Sequence, residues 1–264
     1  MNFHELQQQI QHLASTFQGK SSIAIETADG AILINENEQL PSASLIKVPI
    51  MIEAYRQAQE DTLDLSQKYT VPPHLRVGGT GVVAHLSDEV SLSLEDLISL
   101  MIMISDNSAT NLLIEKVGMD AVNRLAHDLG CRQTALQRKM LDFQAIEEGK
   151  NNFTSAADMV RFVKEIVVGT TLGQSAKQAT YRTLQHQQHQ TTLPALITGG
   201  FSLKPVIAHK TGELPGMVHD AGIFQVNDKY AYVAVLTTDL PDNATGQQMI
   251  AKVGKAVYDY LSVP

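Results

Sequence analysis

The chain has 264 residues, 44% hydrophobic and 18% charged, which suits one large core or two lobes of an ordinary globular protein. A net charge of −8 and a pI near 5.5 argue against nucleic acid and anionic membrane as partners. The single cysteine, Cys131, excludes an internal disulfide and any multi-cysteine metal site, and no apolar run approaches the length of a membrane span.

The first residues, Met1 to Gln9, lack both the basic and the apolar region of a signal peptide. The expected location is therefore the cytoplasm, or outside it if a leader precedes this sequence. Phe3, Leu6, Ile10, Leu13 and Phe17 recur at helical spacing, with Gly19 as the stop. Two alternating runs, 22–27 and 31–35, flank Asp29-Gly30 and predict a β-hairpin. A mostly helical middle follows, from about Ile50 to Leu196. Residues 64–90 read as irregular, with Pro72-Pro73 and Gly78-Gly79-Thr80-Gly81 as loop signals. Ser93 to Asp96 predicts a capping box ahead of the run Leu97 to Ile104. Ala109, Leu112, Leu113 and Val117 predict the next helix, ending at Gly118, and a further one runs from Asp120 to Gly130. Residues 131–153 read as a connection of low regularity, and Ser155 to Asp158 as a second capping box. His186 and His189 stand at i, i+3 in a Gln-rich stretch. That spacing suits a solvated helix end far better than a metal site, since no third ligand is near. Runs 205–210, 218–226 and 230–237 predict strands, with Asn227-Asp228 as a turn, and a last amphipathic helix carries Met249, Ile250, Val253, Val257 and Leu261.

Long strand runs lie only at the two ends of the chain. The expected fold is therefore α+β: an antiparallel sheet with terminal helices (1–49 and 197–264) and an inserted all-helical lobe (50–196), with the active site between them.

Three short signals stand out. Ser44 and Lys47 are at i and i+3, so a helix beginning there places both on one face. A serine hydroxyl is a weak nucleophile until a neighbouring group accepts its proton. Leu45, Ile46, Val48, Ile50 and Met51 predict burial, which disfavours an ammonium. Lowering a lysine from ~10.4 to about 7 takes about 4 kcal/mol, within reach of burial beside a second cation. Ser105-Asp106-Asn107 and Lys210-Thr211-Gly212 complete the set. Singly, each reads as readily as a cap, a turn or a strand edge. Together, in this order and at these separations, they resemble the motifs of the class A β-lactamases and, beyond them, the penicillin-binding transpeptidases. The resemblance spans nearly the whole chain.

What the resemblance implies is a β-lactamase/transpeptidase-like fold and a Ser44 acyl-enzyme. Lys47 would take the serine proton, and Ser105 would relay one to the leaving nitrogen. Asn107 would hold Lys47 and the substrate's amide. Lys210 and Thr211 would bind a substrate carboxylate, and Gly212 would let the substrate lie against its strand. The backbone N–H groups of Ser44 and Glu213 would form the oxyanion hole. No cofactor or metal is required. The expected partner is a small β-lactam or related carboxylate-bearing amide or ester, bound by a monomer. Asp106 would tie down its own turn, and His209, His219 and Asp220 would pack or hydrogen-bond beside the third motif.

One departure matters. Where the family carries its water-activating glutamate, this chain reads Arg138-Lys-Met-Leu-Asp-Phe-Gln144. Met140 stands at the glutamate's place and Gln144 at that of an asparagine. Asn152 replaces an aspartate expected opposite Arg138, which should leave the loop less firmly held. Asp142, Glu147 and Glu148 are the nearby carboxylates. The expectation is weak deacylation. The alternatives are a penicillin-binding or acylation-sensing protein without efficient turnover, or a peptidoglycan carboxypeptidase.

Overall fold

The protein is described by a computed structural model covering residues 1–197 and 205–263. Its elements run α1 (Phe3–Ser15), β1 (Lys20–Thr27), β2 (Gly30–Ile34), β3 (Leu40–Pro41), α2 (Lys47–Gln59), β4 (Lys68–Thr70) and β5 (Ser91–Ser93). They continue with α3 (Leu94–Met103), α4 (Asn107–Val117), α5 (Met119–Asp128), α6 (Phe143–Glu147), β6 (Phe153–Thr154), α7 (Ala156–Val168) and α8 (Gln174–Gln185). The chain closes with β7 (Val206–Leu214), β8 (Met217–Val226), β9 (Lys229–Thr238) and α9 (Asn243–Leu261).

The long strands from the two ends of the sequence join in one antiparallel sheet of order β2-β1-β9-β8-β7. Alternation along β9 shows how it is buried. Ala231, Val233 and Val235 enter a core shared with α1 and α9, while Tyr232, Ala234 and Leu236 enter the other core, shared with the middle helices. Both faces are covered, so the strand reads as one apolar run. On the second face α7 packs against β1, β8 and β9, and α8 against β7. Helix α2 is buried through nine consecutive residues, Lys47 to Tyr55, because helices surround it on the second core. The two short pairs β3–β6 and β4–β5 lie outside the main sheet. Among the described residues no helix is long and apolar enough to cross a membrane.

Differences from the sequence expectation have local causes. The Ser93 box forms in full, with Asp96 as its partner. At Ser155 only half forms: its hydroxyl caps the Asp158 N–H, but the Asp158 carboxylate is drawn away by the Gln133 N–H (2.8 Å) and the Thr134 hydroxyl (2.9 Å). Gly118 ends α4 and also starts α5, at φ 87°. The stretch 131–153 holds the short α6, capped by Asp142, whose side chain accepts from the Ala145 N–H at 3.0 Å.

Asp106 does more than tie its own turn. One carboxylate oxygen caps α4 through the Ala109 N–H (2.9 Å), and the other takes the N–H groups of Val82 (2.6 Å) and Val83 (2.8 Å). Gly81, at φ 109°, passes so close that a Cβ there would stand 2.2 Å from this carboxylate. Asp106→Ala would orphan these three donors. We expect a loss of about 3 kcal/mol or more, a fall in Tm of roughly 6–12 °C by thermal denaturation. Ser93→Ala, at an exposed cap, should lose only about 1 kcal/mol.

Candidate active site

Ser44 lies on a single 3-10 turn, 43–46, that leads into α2 at Lys47. The helix proper therefore starts three residues later than expected, yet the pair still meets: Lys47 Nζ is 3.0 Å from Ser44 Oγ. Lys47 is fully buried. Its nitrogen also lies 2.8 Å from the Ser105 carbonyl, 2.9 Å from Ser105 Oγ and 2.9 Å from Asn107 Oδ1. Of these four neighbours the carbonyl and the amide oxygen can only accept. A neutral amine gives its two N–H groups to them and keeps a lone pair for a hydroxyl proton.

The second lysine approaches from β7. Lys210, also fully buried, donates to Ser105 Oγ at 3.2 Å and to the Thr211 carbonyl at 2.7 Å. Ser105 donates to Ser44 Oγ at 2.8 Å. The polar atoms form one run: Lys210 to Ser105, Ser105 to Ser44, Ser44 to Lys47. Burial first, then the charge of Lys210, pushes Lys47 well below the ordinary lysine range, and Asp106 opposes only weakly. Burial lowers Lys210 to about 7, with Asp220 pulling the other way.

The surrounding chain holds this geometry. Thr80 donates to the Ser105 carbonyl at 2.7 Å, and the Asn107 N–H to the Thr80 carbonyl at 3.1 Å. A Cβ on Gly212 would stand 3.1 Å from the Ser44 nitrogen. The chain's own backbone, and not only a substrate, therefore leaves little room for a side chain there. Beside β7, Asp220 pairs with His209 (2.9 Å) and also takes the Thr192 hydroxyl (2.6 Å) and the Leu193 N–H (3.1 Å). His219 lies 3.0 Å from the Pro41 carbonyl and accepts the Thr237 N–H at 3.2 Å, and burial lowers its pKa. Both histidines thus serve packing and hydrogen bonding, as the sequence suggested.

These residues open onto a cavity of about 330 Å³. Ser44, Ser105, Asn107, Thr211, Gly212 and Glu213 all line it. Thr80, Arg138, Met140, His189, Thr191 and Thr192 line it too, without having been singled out as binding residues by sequence.

Residues 5–261 match the profile of the Beta-lactamase enzyme family. The chain belongs to that family. It is 26% identical to the extended-spectrum beta-lactamase PER-1 of Pseudomonas aeruginosa, over 87% of this chain and 78% of that one. It is 24% identical to an imipenem-hydrolyzing beta-lactamase of Enterobacter cloacae, over 96% and 88%. The crystal structure of a beta-lactamase from Sphaerobacter thermophilus superposes over the whole of both chains with a TM-score of 0.89 and 30% identity. PBP-A superposes over 98% of this chain and 96% of its own, with a TM-score of 0.87 and 26% identity. The fold is thus the β-lactamase/transpeptidase fold, and the chain is a class A β-lactamase-like serine hydrolase.

The loop after α5 carries Met140, Asp142, Glu147 and Glu148. Met140 is 7% exposed on the cavity wall. Its N–H donates to Asn111 Oδ1 at 2.7 Å, and its carbonyl accepts from Asn111 Nδ2 at 3.3 Å. None of the loop's carboxylates lines the cavity: Asp142 caps α6, Glu148 pairs with Lys150 at 2.9 Å, and Glu147 is exposed. The Arg138 guanidinium reaches Asn151 at 3.0 Å instead of Asn152. Asn152 is buried and accepts from the Gln137 N–H (2.8 Å) and the Arg138 N–H (3.1 Å), while donating to the Arg138 carbonyl (3.0 Å). The loop therefore closes on backbone bonds to a neutral amide, where an ion pair was expected to be missed.

A folded-state pKa of about 7 for Lys210, against an ordinary 10.5, means that the folded chain holds fewer protons than the unfolded one between those values. Stability rises with pH across that window, and the burial penalty is full below it. Lys210→Met should therefore raise the urea midpoint at pH 6, with the gain shrinking toward pH 10.

Proposed function

We propose that the protein forms a Ser44 acyl-enzyme with a β-lactam or related carboxylate-bearing amide or ester, and releases it slowly. The observation that carries this reading is the hydrogen-bonded run from Lys210 through Ser105 and Ser44 to Lys47, with Lys47 held below its ordinary pKa. Lys47 takes the Ser44 proton as Oγ attacks the carbonyl carbon. The resulting oxyanion is met by the backbone N–H groups of Ser44 and Glu213, each donor worth roughly 2.7–4 kcal/mol. The proton passes from Lys47 through Ser105 to the leaving nitrogen as the C–N bond breaks. Lys210 and Thr211 take the substrate carboxylate, and Asn107 holds Lys47 and the substrate's amide. The division into 1–49 with 197–264 and 50–196 belongs to the same reading: Ser44, Lys47 and Lys210 come from the first unit, and Ser105 and Asn107 reach them from the second.

Water must then attack the acyl group, and that step needs a base. Met140 has no proton acceptor fit for it. This favours a second reading, a penicillin-binding protein that becomes acylated without efficient turnover. The similarity to PBP-A supports it, since a variant of PBP-A is known as an acyl-enzyme complex with penicillin G.

Intact-protein mass after mixing with benzylpenicillin tests both. We expect a long-lived adduct of the penicillin's mass, absent in Ser44→Ala. Absence of any adduct with penicillins and cephalosporins would sink the acyl-enzyme reading, and steady product release would sink slow deacylation. In Met140→Glu the carboxylate enters the cavity wall, and the adduct should decay at least tenfold faster, with about 10²–10⁴-fold as the full effect of a well-placed general base.

A further inference from the structure

The Gln- and His-rich stretch after α8 is solvated at His186, Gln188, His189 and Gln190, as the sequence suggested. Gln187 is the buried exception, and it ties the stretch to the end of α3, immediately before Ser105. Two successive carbonyls there are taken up: Ile102 by Gln187 Nε2 (2.9 Å) and Met103 by the Gln188 N–H (2.9 Å). The next carbonyl, that of Ile104, acts on the His189 ring and favours its protonated form. Gln187 is 2% exposed, and its Oε1 accepts the His189 N–H at 3.0 Å. His189 is exposed, with its backbone held through Gln187. Its ring stands on the cavity wall with Ser105 and Thr211, at the end where Lys210 reaches Ser105.

We propose that His189 belongs to the subsite that receives the substrate carboxylate, where it adds a second, proton-switched cation to Lys210. The assignment rests on the acyl-enzyme reading above and names how that site selects its substrate. A neutral imidazole keeps one bare acceptor nitrogen, which becomes a donor when the ring is protonated. Only the protonated ring suits a carboxylate.

The charges around it set the switch. Burial and Lys210 push its pKa down, and His209 adds to this from behind the strand. The Ile104 carbonyl and the charge of Glu213 push it up, and the net direction is down. Arg138 is the other cation lining the cavity, and Lys47 lies behind Ser44. A carboxylate seated between Lys210 and His189 offsets the repulsion between them and draws a proton onto the ring. Anionic substrates should therefore bind better as pH falls through the His189 transition, and neutral analogues should not.

The test is an NMR titration of the His189 ring, assigned by loss of its signal in His189→Gln. The wild-type protein is titrated alone, with phenylacetate and with phenylacetamide. The Ser44→Ala protein is titrated with benzylpenicillin and with its methyl ester. We expect phenylacetate and benzylpenicillin to raise the His189 midpoint by about one pH unit or more, and the two neutral analogues to leave it in place. His189→Gln should lose the acid-side gain in affinity for the acids and keep its affinity for the neutral compounds. Ligand-induced shifts elsewhere in the cavity with an unmoved His189 midpoint would overturn the proposal, as would no binding of any carboxylate. A raised midpoint with phenylacetate, alongside no Ser44 adduct in the wild type, would leave the anion subsite standing and remove the acyl-enzyme reading.

Discussion

Lys47 and Lys210 reach the same hydroxyl, that of Ser105, at 2.9 and 3.2 Å. Both are fully buried, and among the described residues neither has a carboxylate within ion-pair distance. Two ammonium groups so placed repel each other and have lost their water. The environment is relieved only by deprotonating one of them. Lys47 is pushed down by burial and by Lys210, and it has two oxygen acceptors that match a neutral amine. The chemistry thus follows from a folding constraint: the interior admits two lysines only if one becomes a base. Such a site is unfavourable for stability, and the rest of the chain must hold it together.

The holding is visible around the cavity. Ala43 (φ 44°), Ser105 (φ 58°) and Leu141 (φ 57°) are non-glycine residues in the left-handed region, and all three line the cavity. Such residues are unfavourable by about 1–3 kcal/mol each and persist only where the surroundings over-determine them. Ser105 is pinned by Thr80 on its carbonyl and by Asp106, which anchors the 80–83 loop next to it. Ala43 sits where the Gly212 backbone closes in. Leu141 follows Met140, whose backbone Asn111 grips from both sides. Each strained residue has a buried polar partner or a close backbone approach beside it, so the reacting groups rest on packed elements instead of free loops.

The parts legible in the sequence were those whose cause is local. The hairpin at Asp29-Gly30, the Ser93 box, the Gly118 stop and the long terminal strands all depend on neighbours in the chain. The three motifs were legible because their residue types are rare in combination. What escaped depended on distant partners. Asp158 left its capping role for the backbone at 133–134. Asn152 looked like a broken ion pair and became a backbone clamp. Gln187 looked solvent-bound because its partner, the Ile102 carbonyl at the end of α3, lies more than eighty residues away. A main-chain carbonyl gives no sign in sequence of which side chain will claim it.

The loop that carries Met140 separates two halves of the reaction. The groups that would make an acyl-enzyme rest on the 3-10 turn leading into α2, the turn between α3 and α4, and β7, all set against the central core. The group that would break it belongs to residues 138–152, which hang on Asn111, Asn152 and Arg138. That loop is still shaped and closed, and the position opposite Asn111 still faces the cavity. The side chain it presents there, Met140, is a thioether and no proton acceptor. On the acyl-enzyme reading, slow release therefore reflects one absent carboxylate on an intact frame, and no rearrangement of the fold is needed to account for it.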